Sequence, residues 1–347
     1  MASCQLITCA MASLLIIILG ASTSQANART LQQASMLERF EQWMARHGVV
    51  YQDNVEKEKR FNIFKNNAER IDSFNLAGDR PYKQSINVFA DRTDEELKHY
   101  RNGYINFAQQ RPSSKFPHGR SFSYENVTDV PPSLDWREKG AVTPIKDQGR
   151  CGCCWAFSAV AAIEGIIQIK KGQQISLSEQ QLVDCNTENN GCDGGFMDTA
   201  FQYIQQTGGI NSEKNYPYRG VQGMCDTEKS ASHTASISGY VDVPSNDENE
   251  LLKAVAMQPV SVAIDASSND FLFYSTGVFT GECGTDLNHA VTVVGYGTSE
   301  EGMKYWLLKN SWGTQWGDKG YMRIQRDVAA SNGGLCGIAM KASYPTA

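Results

Sequence analysis

The sequence predicts an α+β protein of two lobes, preceded by a separate and mainly helical segment. Residues 151–210 of the 347-residue chain favour helix, with WAFSAVAAIEGIIQI as the longest apolar run. From about residue 235 the pattern changes to short apolar strands, seen in PVSVAIDA, HAVTVVGYG, KYWLLKNSWG and GYMRIQR. Helices followed by strands indicate two lobes of different structure, and a cleft between lobes is a favoured place for a ligand site.

The first 28 residues have the pattern of a secretory signal peptide. LLIIIL lies inside their apolar stretch, and Ala26-Asn27-Ala28 supplies an A-x-A cleavage signature. The stretch is short for a membrane anchor, and the polar run STSQANART follows it without a stop-transfer pattern. We therefore expect a protein of the secretory pathway, destined for the vacuole or another lytic compartment or for the extracellular space.

The separate helical segment spans residues 29–129. SMLERFEQWMARHG has apolar residues at helical spacing, and a longer helix is expected from a cap at Asn54 to Ala77. YKQSINVFAD alternates like a short strand, and Thr93 with Glu96 forms a capping box for another helix.

Residues 101–130 are rich in Gly, Pro, Ser and Asn, a composition typical of a linker open to proteolysis. Asn126-Val127-Thr128 inside this stretch is a glycosylation sequon. Residues 29–129 carry 16 basic and 14 acidic side chains, whereas residues 130–347 carry 16 and 24. The net charge of −6 argues against nucleic-acid and membrane-surface partners, which need a basic face. The charge asymmetry favours association between the two parts of the chain.

The chemistry of the sequence centres on QGRCGCCWAFS, which places a cysteine at the start of an apolar helix. A thiol there lies at the positive end of the helix dipole, which stabilises thiolate. His233 lies in polar SASHTAS and is expected at the surface, whereas His289 opens an apolar strand. Asn310 in KNSWG offers an amide to orient the imidazole. A nucleophile, a base and an orienting group are the components of a thiol hydrolase.

Four motifs, CGCCWAFS, CDGG, NHAVTVVGYG and KNSWGTQWG, resemble the papain family of cysteine proteases. EKEKRFNIFKNNAERIDSFN is similar to that family's inhibitory propeptide, and Asn87, Phe89 and Asp91 match a second propeptide motif. The resemblance covers about residues 36–347 and is strongest to plant enzymes. It implies a papain-like two-lobe fold, with a helical lobe, a β-barrel-like lobe and the active site in the cleft. The domain plan is then signal 1–28, propeptide 29–129 and mature enzyme 130–347.

The resemblance also implies the catalytic residues of a cysteine endopeptidase made as a latent zymogen. Cys154 matches the nucleophile, His289 the general base and Asn310 the residue that orients it. Gln148 matches the side-chain donor of the oxyanion hole, with the Cys154 N–H as second donor. Trp312 matches the indole that shields the Asn–His hydrogen bond from water.

Substrate-binding positions follow from the same resemblance. Gly194 and Gly195 match the bare backbone edge on which an extended substrate pairs. The pocket for the second residue before the cut is expected to have apolar walls from Phe196, Met197, Ala263, Leu287 and Ala290. Lys341 falls at its floor, where its ammonium either reaches solvent or faces inward. A hydrophobic preference with some tolerance of Glu or Asp is therefore expected.

Cysteine usage is consistent with an oxidising compartment, because two of the ten leave with the signal and the other eight lie in residues 130–347. By spacing alone these eight could form four disulfides, or fewer with reactive thiols left over. The resemblance implies three pairs, which are Cys151–Cys192, Cys185–Cys225 and Cys283–Cys336. It leaves Cys153 where the family usually has Ser, either pointing away from the site or making the neighbouring thiol easier to oxidise.

Other functions were weighed against hydrolysis. A metal site is disfavoured because no C-x-x-C pair repeats, and neither a metal nor a cofactor is expected. A transpeptidase or ligase acting through the same acyl-enzyme and a catalytically silent binding homologue stay open. The expected partners are protein or peptide substrates, the chain's own propeptide and cystatin-type inhibitors, with the protein as a monomer. The precursor is expected to be latent near neutral pH and to mature in acid, as carboxylates in charge pairs become protonated.

Overall fold

The computed structural model describes residues 35–101, 103–104, 122–328 and 333–347, so the predicted signal peptide lies outside the described residues. The chain forms two compact units. The first comprises the described residues up to Arg70 together with Ala90–Arg92, and the second comprises Ile71–Phe89 and the described residues from Thr93 onward.

The first unit is built on two helices, α1 at 35–47 and α2 at Asn54–Leu76, the second of which continues into the other unit. Both predicted helices are confirmed, but the cap of α2 is Asp53 rather than Asn54, because the Asp53 carboxylate accepts the Glu56 N–H at 2.8 Å. Five aromatic rings of the two helices and the turn between them pack together, with Phe40, Trp43 and Phe64 buried and Tyr51 and Phe61 partly exposed.

The predicted strand around residue 85 is shorter than expected. Strand β1 covers only Tyr82–Gln84, and a turn follows it. Helix α3 runs from Asp94 to Arg101. Its capping box is confirmed, since the Thr93 N–H donates to Glu96 Oε2 at 2.9 Å and the Glu96 N–H to Thr93 Oγ1 at 3.3 Å.

Within residues 130–347, which we call the protease region, the helices are α4 Cys154–Lys171, α5 Glu179–Cys185, α6 Met197–Thr207, α7 Thr227–Ser230, α8 Glu248–Met257 and α9 Asn269–Leu272, with 3-10 turns at Gly191–Asp193 and Leu335–Gly337. Helices α4 to α6 lie in the stretch 151–210 that was predicted to be helical, whereas α8 and α9 lie between strands. Helix α4 is buried along most of its length. Gly165 allows its close approach to the start of β4, because a Cβ there would lie 2.6 Å from the Pro259 ring.

The later strands form one mainly antiparallel sheet. They are β2 Leu134–Asp135, β3 Gly239–Asp242, β4 Val260–Ile264, β5 Tyr274–Phe279, β6 His289–Thr298, β7 Lys304–Lys309, β8 Tyr321–Gln325 and β9 Ala342–Thr346. Their order is β1-β5-β8-β7-β6-β4-β9-β3, with β2 on β6, and only β5 and β8 are parallel. Strand β1 therefore extends the sheet of the protease region from the propeptide region.

Three disulfides link the protease region, and they are the pairs that the resemblance implied. Cys151 is bonded to Cys192, Cys185 to Cys225 and Cys283 to Cys336. Two cysteines of the described residues stay free, Cys153 and Cys154.

Candidate active site

Cys154 is the first residue of α4, so its thiol lies at the helix N-terminus as the sequence predicted. Its Sγ accepts the backbone N–H of Ala290 at 3.3 Å, and Ser158 on the next turn donates its hydroxyl to Val291 O at 2.7 Å. These two contacts tie the start of α4 to the start of β6. The nucleophile candidate is therefore held beside His289, the residue that precedes Ala290.

His289 and Asn310 meet because they lie at matching ends of neighbouring strands. The antiparallel register pairs Thr292 of β6 with Lys309 of β7. This pairing brings the side chains of His289 and Asn310 to the same edge of the sheet. His289 Nε2 lies 2.8 Å from Asn310 Oδ1. Because an amide oxygen can only accept, Nε2 carries the proton, and the buried Nδ1, which has no hydrogen-bond partner among the described residues, is left to act as a base.

Trp312 covers this pair. Its indole stacks on the His289 imidazole with ring centroids 4.6 Å apart and an interplanar angle of 27°. Trp312 is 3% exposed and His289 is fully buried. Burial lowers the pKa of His289 to about 4, which the hydrogen bond to Asn310 only partly opposes.

Gln148, the candidate oxyanion-hole donor, is fixed by its neighbours. Ser311 donates its hydroxyl to Gln148 Oε1 at 2.5 Å, and the Gln148 Nε2 donates to Cys151 O at 3.0 Å. The Ser311 contact determines which end of the amide is the donor, since a carbonyl oxygen must face the hydroxyl. The sequence did not single out Ser311, although it directly follows Asn310.

A buried charge cluster lies behind the site and was not predicted. Lys146 Nζ contacts Glu179 at 2.7 Å and Glu164 at 3.1 Å. Lys309 donates to the Thr143 hydroxyl at 2.8 Å, and this hydroxyl donates to Glu164. Burial lowers the pKa of Lys309. Because Lys309 ends β7, the cluster links the backbone just before Asn310 to α4 and α5.

The thiol of Cys154 is covered by the backbone of Gly103, a residue of the propeptide region. A Cβ added at Gly103 would lie 2.6 Å from Cys154 Sγ and 2.8 Å from Gly152 O, so only glycine fits there. Burial raises the pKa of Cys154 to about 12, although N–H groups, including that of Ala290, favour the thiolate. In this state burial outweighs the helix dipole, and the thiol is uncharged.

Residues 103–104 lie on the backbone edge that was predicted to receive substrate. The Gly195 N–H donates to Gly103 O at 3.1 Å, and Tyr104 forms a parallel bridge with Gly195. On the other side, the Tyr104 N–H donates to Asn288 O at 3.1 Å. The neighbouring Gly194 has a φ of 111°, which favours glycine at that position.

The Tyr104 side chain enters the apolar pocket that the sequence predicted. Its ring meets Phe196 edge to face, with centroids 5.4 Å apart. It packs in one buried cluster with the expected pocket walls, which are Phe196, Met197, Ala263, Leu287 and Ala290. Neither Gly103 nor Tyr104 was singled out, because both lie in a stretch whose composition is that of a linker.

The Lys341 ammonium was expected either to reach solvent or to face into the pocket unpaired. The structure shows neither, because the ammonium is paired with two carboxylates. Its Nζ lies 2.6 Å from Asp198 Oδ2 and 2.8 Å from Asp242 Oδ1. These carboxylates raise the pKa of Lys341 against the opposing effect of burial. Asp198 and Asp242 could not be recognised as partners from the sequence because they are distant from Lys341 in the chain.

Cys153 points away from the Cys154 thiol. Its Sγ lies 3.1 Å from the Tyr218 hydroxyl, which itself donates to Gln148 O at 2.7 Å. Because that hydroxyl proton is used, the Cys153 thiol is the donor to Tyr218. Burial raises the pKa of Cys153, so the group is an uncharged thiol. His233 is exposed, as expected.

A helix-start thiol, an imidazole held by an amide and a candidate side-chain oxyanion donor are the arrangement expected of a thiol hydrolase. Comparison with known proteins gives the family. Residues 130–346 match the papain family cysteine protease model, and residues 40–97 match the cathepsin propeptide inhibitor domain. The chain belongs to the papain family of cysteine proteases, and it is a cysteine endopeptidase made as a zymogen.

Relatives and solved structures agree with this assignment. The chain is 56% identical over 314 residues to the senescence-specific cysteine protease SAG12 of Arabidopsis thaliana, covering 90% of each chain. It is 54% identical over 308 residues to vignain of Ricinus communis, covering 88% of this chain and 84% of that protein. The recombinant stem bromelain precursor has a TM-score of 0.83 at 46% identity, covering 90% of this chain and 99% of that one. The proform of Amb a 11, a ragweed pollen cysteine protease, has a TM-score of 0.82 at 46% identity, covering 90% and 94%.

Proposed function

We propose that Cys154 is the nucleophile of this endopeptidase and that His289 is its general base. Asn310 orients the His289 imidazole, and Gln148 is the side-chain donor of the oxyanion hole. The single observation that carries this assignment is the 2.8 Å contact of His289 Nε2 with Asn310 Oδ1, which leaves Nδ1 as the basic nitrogen. The Cys154 Sγ accepts the N–H of Ala290, the residue that follows His289. Release of Gly103 uncovers the Cys154 thiol and removes the burial that keeps it uncharged. A proton can then pass from Cys154 to His289 and form the reactive pair.

The catalytic sequence is acyl transfer. The Cys154 thiolate attacks the carbonyl carbon of the scissile peptide bond, and negative charge develops on the carbonyl oxygen. The Gln148 Nε2–H and the Cys154 N–H stabilise that oxygen. The imidazolium of His289 gives its proton to the leaving amine as the C–N bond breaks. Water, deprotonated by His289, then hydrolyses the thioester and returns the thiol.

The pocket that holds Tyr104 supports a preference for large apolar or aromatic residues at the second position before the cut. Lys341 is neutralised by Asp198 and Asp242, so the tolerance of acidic substrate side chains that the sequence suggested is not expected. The substitution Lys341→Gln removes the cation that neutralises the carboxylates of Asp198 and Asp242. A peptide library should then show a gain of Arg or Lys at this position, and identical profiles would mean that the group does not influence the pocket.

The vicinal cysteines provide the test of the catalytic assignment. Cys154→Ala should abolish peptide hydrolysis, whereas Cys153→Ser should retain it, because Ser can also donate to the Tyr218 hydroxyl. Both proforms are processed by added wild-type enzyme, which is removed by its affinity tag before the assay. Activity in Cys154→Ala and its loss in Cys153→Ser would contradict the assignment.

The processed wild-type enzyme also distinguishes hydrolysis from ligation, the two possible outcomes of acyl transfer. Product analysis with an added amine nucleophile distinguishes hydrolysis from ligation, since a ligase joins the acyl group to the amine. A silent homologue would give neither product. We propose hydrolysis, in agreement with the family.

We also propose that the chain is made in the secretory pathway, with residues 1–28 removed. The support is the signal-like sequence together with three disulfides, which persist in oxidising compartments. Among the residues that the structure describes, none of the helices has both the length and the apolar character needed to cross a bilayer. Expression with and without residues 1–28 and recovery of the protein from the medium tests this proposal.

A further inference from the structure

The Tyr218 hydroxyl joins the two chain segments that carry the candidate oxyanion donors. It donates to Gln148 O at 2.7 Å, and it lies 3.1 Å from Cys153 Sγ. Gln148 carries the side-chain donor, and Cys153 directly precedes Cys154, whose backbone N–H is the second donor. We call the Cys153 thiol, the Tyr218 hydroxyl and the Gln148 carbonyl the hydroxyl link. One phenol oxygen therefore connects the positions from which both donors are aimed.

Contacts of its backbone and of its ring fix Tyr218 in this place. Its N–H donates to Glu213 Oε1 at 2.8 Å, and its ring meets Phe157 edge to face with centroids 5.0 Å apart. Edge-to-face pairs at this distance are favourable. Phe157 belongs to α4, the helix that Cys154 begins, and it is buried. The ring of Tyr218 is thus oriented by the same helix that carries the candidate nucleophile.

The backbone carbonyl of Gln148 depends on Tyr218. The Gln148 N–H donates to Ser311 O at 2.9 Å, and the Ser311 hydroxyl donates to Gln148 Oε1 at 2.5 Å. The Gln148 carbonyl oxygen accepts the Tyr218 hydroxyl at 2.7 Å and the Cys151 N–H at 3.4 Å, and the second distance is long for a hydrogen bond. Loss of the hydroxyl would therefore leave this carbonyl with the weaker of its two partners and loosen the chain that leads from Gln148 to Cys151.

The order of donors and acceptors in the hydroxyl link is fixed by its chemistry. A carbonyl oxygen can only accept, so the Tyr218 proton is directed to Gln148 and the Cys153 thiol donates to the phenol oxygen. Burial raises the pKa of both Tyr218 and Cys153, so both groups keep their protons at neutral and acid pH. All three residues lie in the match to the papain family model at 130–346, so the link belongs to the protease region and not to the propeptide.

We propose that Tyr218 is a positioning residue of the oxyanion hole, whose hydroxyl holds Gln148 at a fixed distance from the start of α4 and so aligns the two donors. The inference rests on the proposed function, because it requires Gln148 and the Cys154 N–H as the donors. Such donors stabilise the transition state only when they are aimed at the oxygen that becomes charged. Loosening them should lower kcat and leave KM nearly unchanged.

The substitution Tyr218→Phe tests the proposal, because it removes the hydroxyl and keeps the ring against Phe157. Variant proform is processed by tagged wild-type enzyme, which is then removed, and the active fraction is counted by thiol alkylation. For a peptide amide we expect kcat to fall about tenfold, less than the about 10²–10³-fold lost when an oxyanion donor is deleted, with KM within about twofold of wild type. A kcat equal to that of wild type overturns the proposal.

Tyr216→Phe is the matched control, two residues away in the same segment. Its hydroxyl donates to Asp184 Oδ2 at 2.9 Å and accepts the Asp226 N–H at 3.1 Å, so the variant also loses hydrogen bonds of a phenol. It should lower the thermal midpoint and leave kcat unchanged. If both variants lowered kcat to the same extent, the effect of Tyr218 would be one of general stability and the proposal would fail.

Alkylation of Cys154 by iodoacetamide separates this inference from the proposed function. Displacement of iodide by the thiolate places no new charge on a carbonyl oxygen, so it does not need the oxyanion hole. Processed Tyr218→Phe should be alkylated at the wild-type rate while it hydrolyses the amide more slowly. Equal losses in both rates would overturn the positioning role. Hydrolysis that survives complete alkylation of Cys154 would instead contradict the proposed function.

Two further comparisons decide the inference, the first even if Tyr218→Phe fails to fold. Cys153→Ala removes the donor to the Tyr218 hydroxyl, whereas Cys153→Ser keeps one, so kcat should be higher in Cys153→Ser than in Cys153→Ala. In the second, Tyr218→Phe is added to Gln148→Ala, where it should cost less than about threefold, because residues that act as a unit are not additive. Equal kcat in the two Cys153 variants, or a full tenfold loss on top of Gln148→Ala, would overturn the proposal.

Discussion

Two of the places where the described residues of the propeptide region contact the protease region differ in kind. The first, which we call the anchor, is Tyr82–Phe89, and the second, the cover, is Gly103–Tyr104. The anchor uses buried side chains: Tyr82 and Gln84 donate to the two oxygens of Asp270 at 2.7 and 2.8 Å, and Asn87 donates to Leu272 O at 2.7 Å. The cover uses mainly backbone, on the edge that a substrate would take.

We expect the anchor to determine how strongly the propeptide binds and the cover to determine whether the bound enzyme is latent. Rings of the anchor pack on the protease region, with Tyr82 5.0 Å from Phe279 and Phe89 5.4 Å from Trp312. We expect a peptide substrate bound on the Gly195 edge not to reach Asp270, so the Asp270 contacts should favour the propeptide over substrate. The cover lies against the Cys154 thiol but adds few side chains. We therefore expect changes in the anchor to alter how long the propeptide stays, and changes in the cover to alter whether the bound propeptide silences the thiol.

The largest effect is expected from Tyr82→Ala. The side chain is 1% exposed, and truncation of a buried aromatic residue costs about 3–5 kcal/mol. The lag before peptide hydrolysis begins in acid should shorten by two orders of magnitude or more, since RT ln 10 is about 1.4 kcal/mol. Tyr82→Phe, which removes only the hydroxyl, should lie between this variant and wild type. An unchanged lag in Tyr82→Ala would show that the anchor does not determine how long the propeptide stays bound.

Gly103→Ala should have the next largest effect. The added methyl group would overlap Cys154 Sγ and Gly152 O, and overpacking of this kind costs about 1–3 kcal/mol. The cover should lift while the anchor holds, so uncut proform should hydrolyse a small peptide at neutral pH. Tyr104→Phe is the matched control, because it keeps the ring against Phe196. If Gly103→Ala stayed fully latent with a normal thermal midpoint, the cover would not be the cause of latency.

A smaller effect is expected from pH acting on His289. Its pKa is lowered to about 4 in the closed state, against an ordinary value near 6.5, so the closed state holds a neutral ring that an opened state would protonate. Stability of the closed state is therefore retained above about pH 6.5 and lost as pH falls from there toward 4, by about 2 kcal/mol between pH 7 and 5. Titration of the His289 resonances in Cys154→Ala proform checks this, and a pKa near 6.5 in the closed state would contradict it.

The candidate catalytic residues could be proposed from sequence because their signals are local. Cys154 begins an apolar helix, His289 begins an apolar strand, and Asn310 follows the next strand, so each side chain lies where its own element begins or ends. The same holds for the capping box at Thr93 and for the alternation of helices and strands. The long-range pairing that brings them together was supplied by the family resemblance.

The residues that were missed act through contacts distant in sequence. Gly103 and Tyr104 have no pattern of their own, and their role depends on Gly195 and Cys154, which follow far along the chain. Lys341 has an ordinary local sequence, and only the fold brings Asp198 and Asp242 to it. The Gly, Pro and Ser content of residues 101–130 indicated a linker, because composition carries no information on whether a segment is bound to another part of the chain.

The central claim is that Cys154 is uncharged and covered until the propeptide leaves, and thiol alkylation measures this most directly. Iodoacetate is applied to intact proform and to activated enzyme from pH 5 to 9, and peptide mass mapping reads Cys153 and Cys154 separately. We predict that Cys154 of the proform stays unlabelled over this range, since its pKa is raised to about 12, and that activation makes it react at least a hundredfold faster while Cys153 stays inert. Equal labelling of Cys154 in both forms would contradict the account.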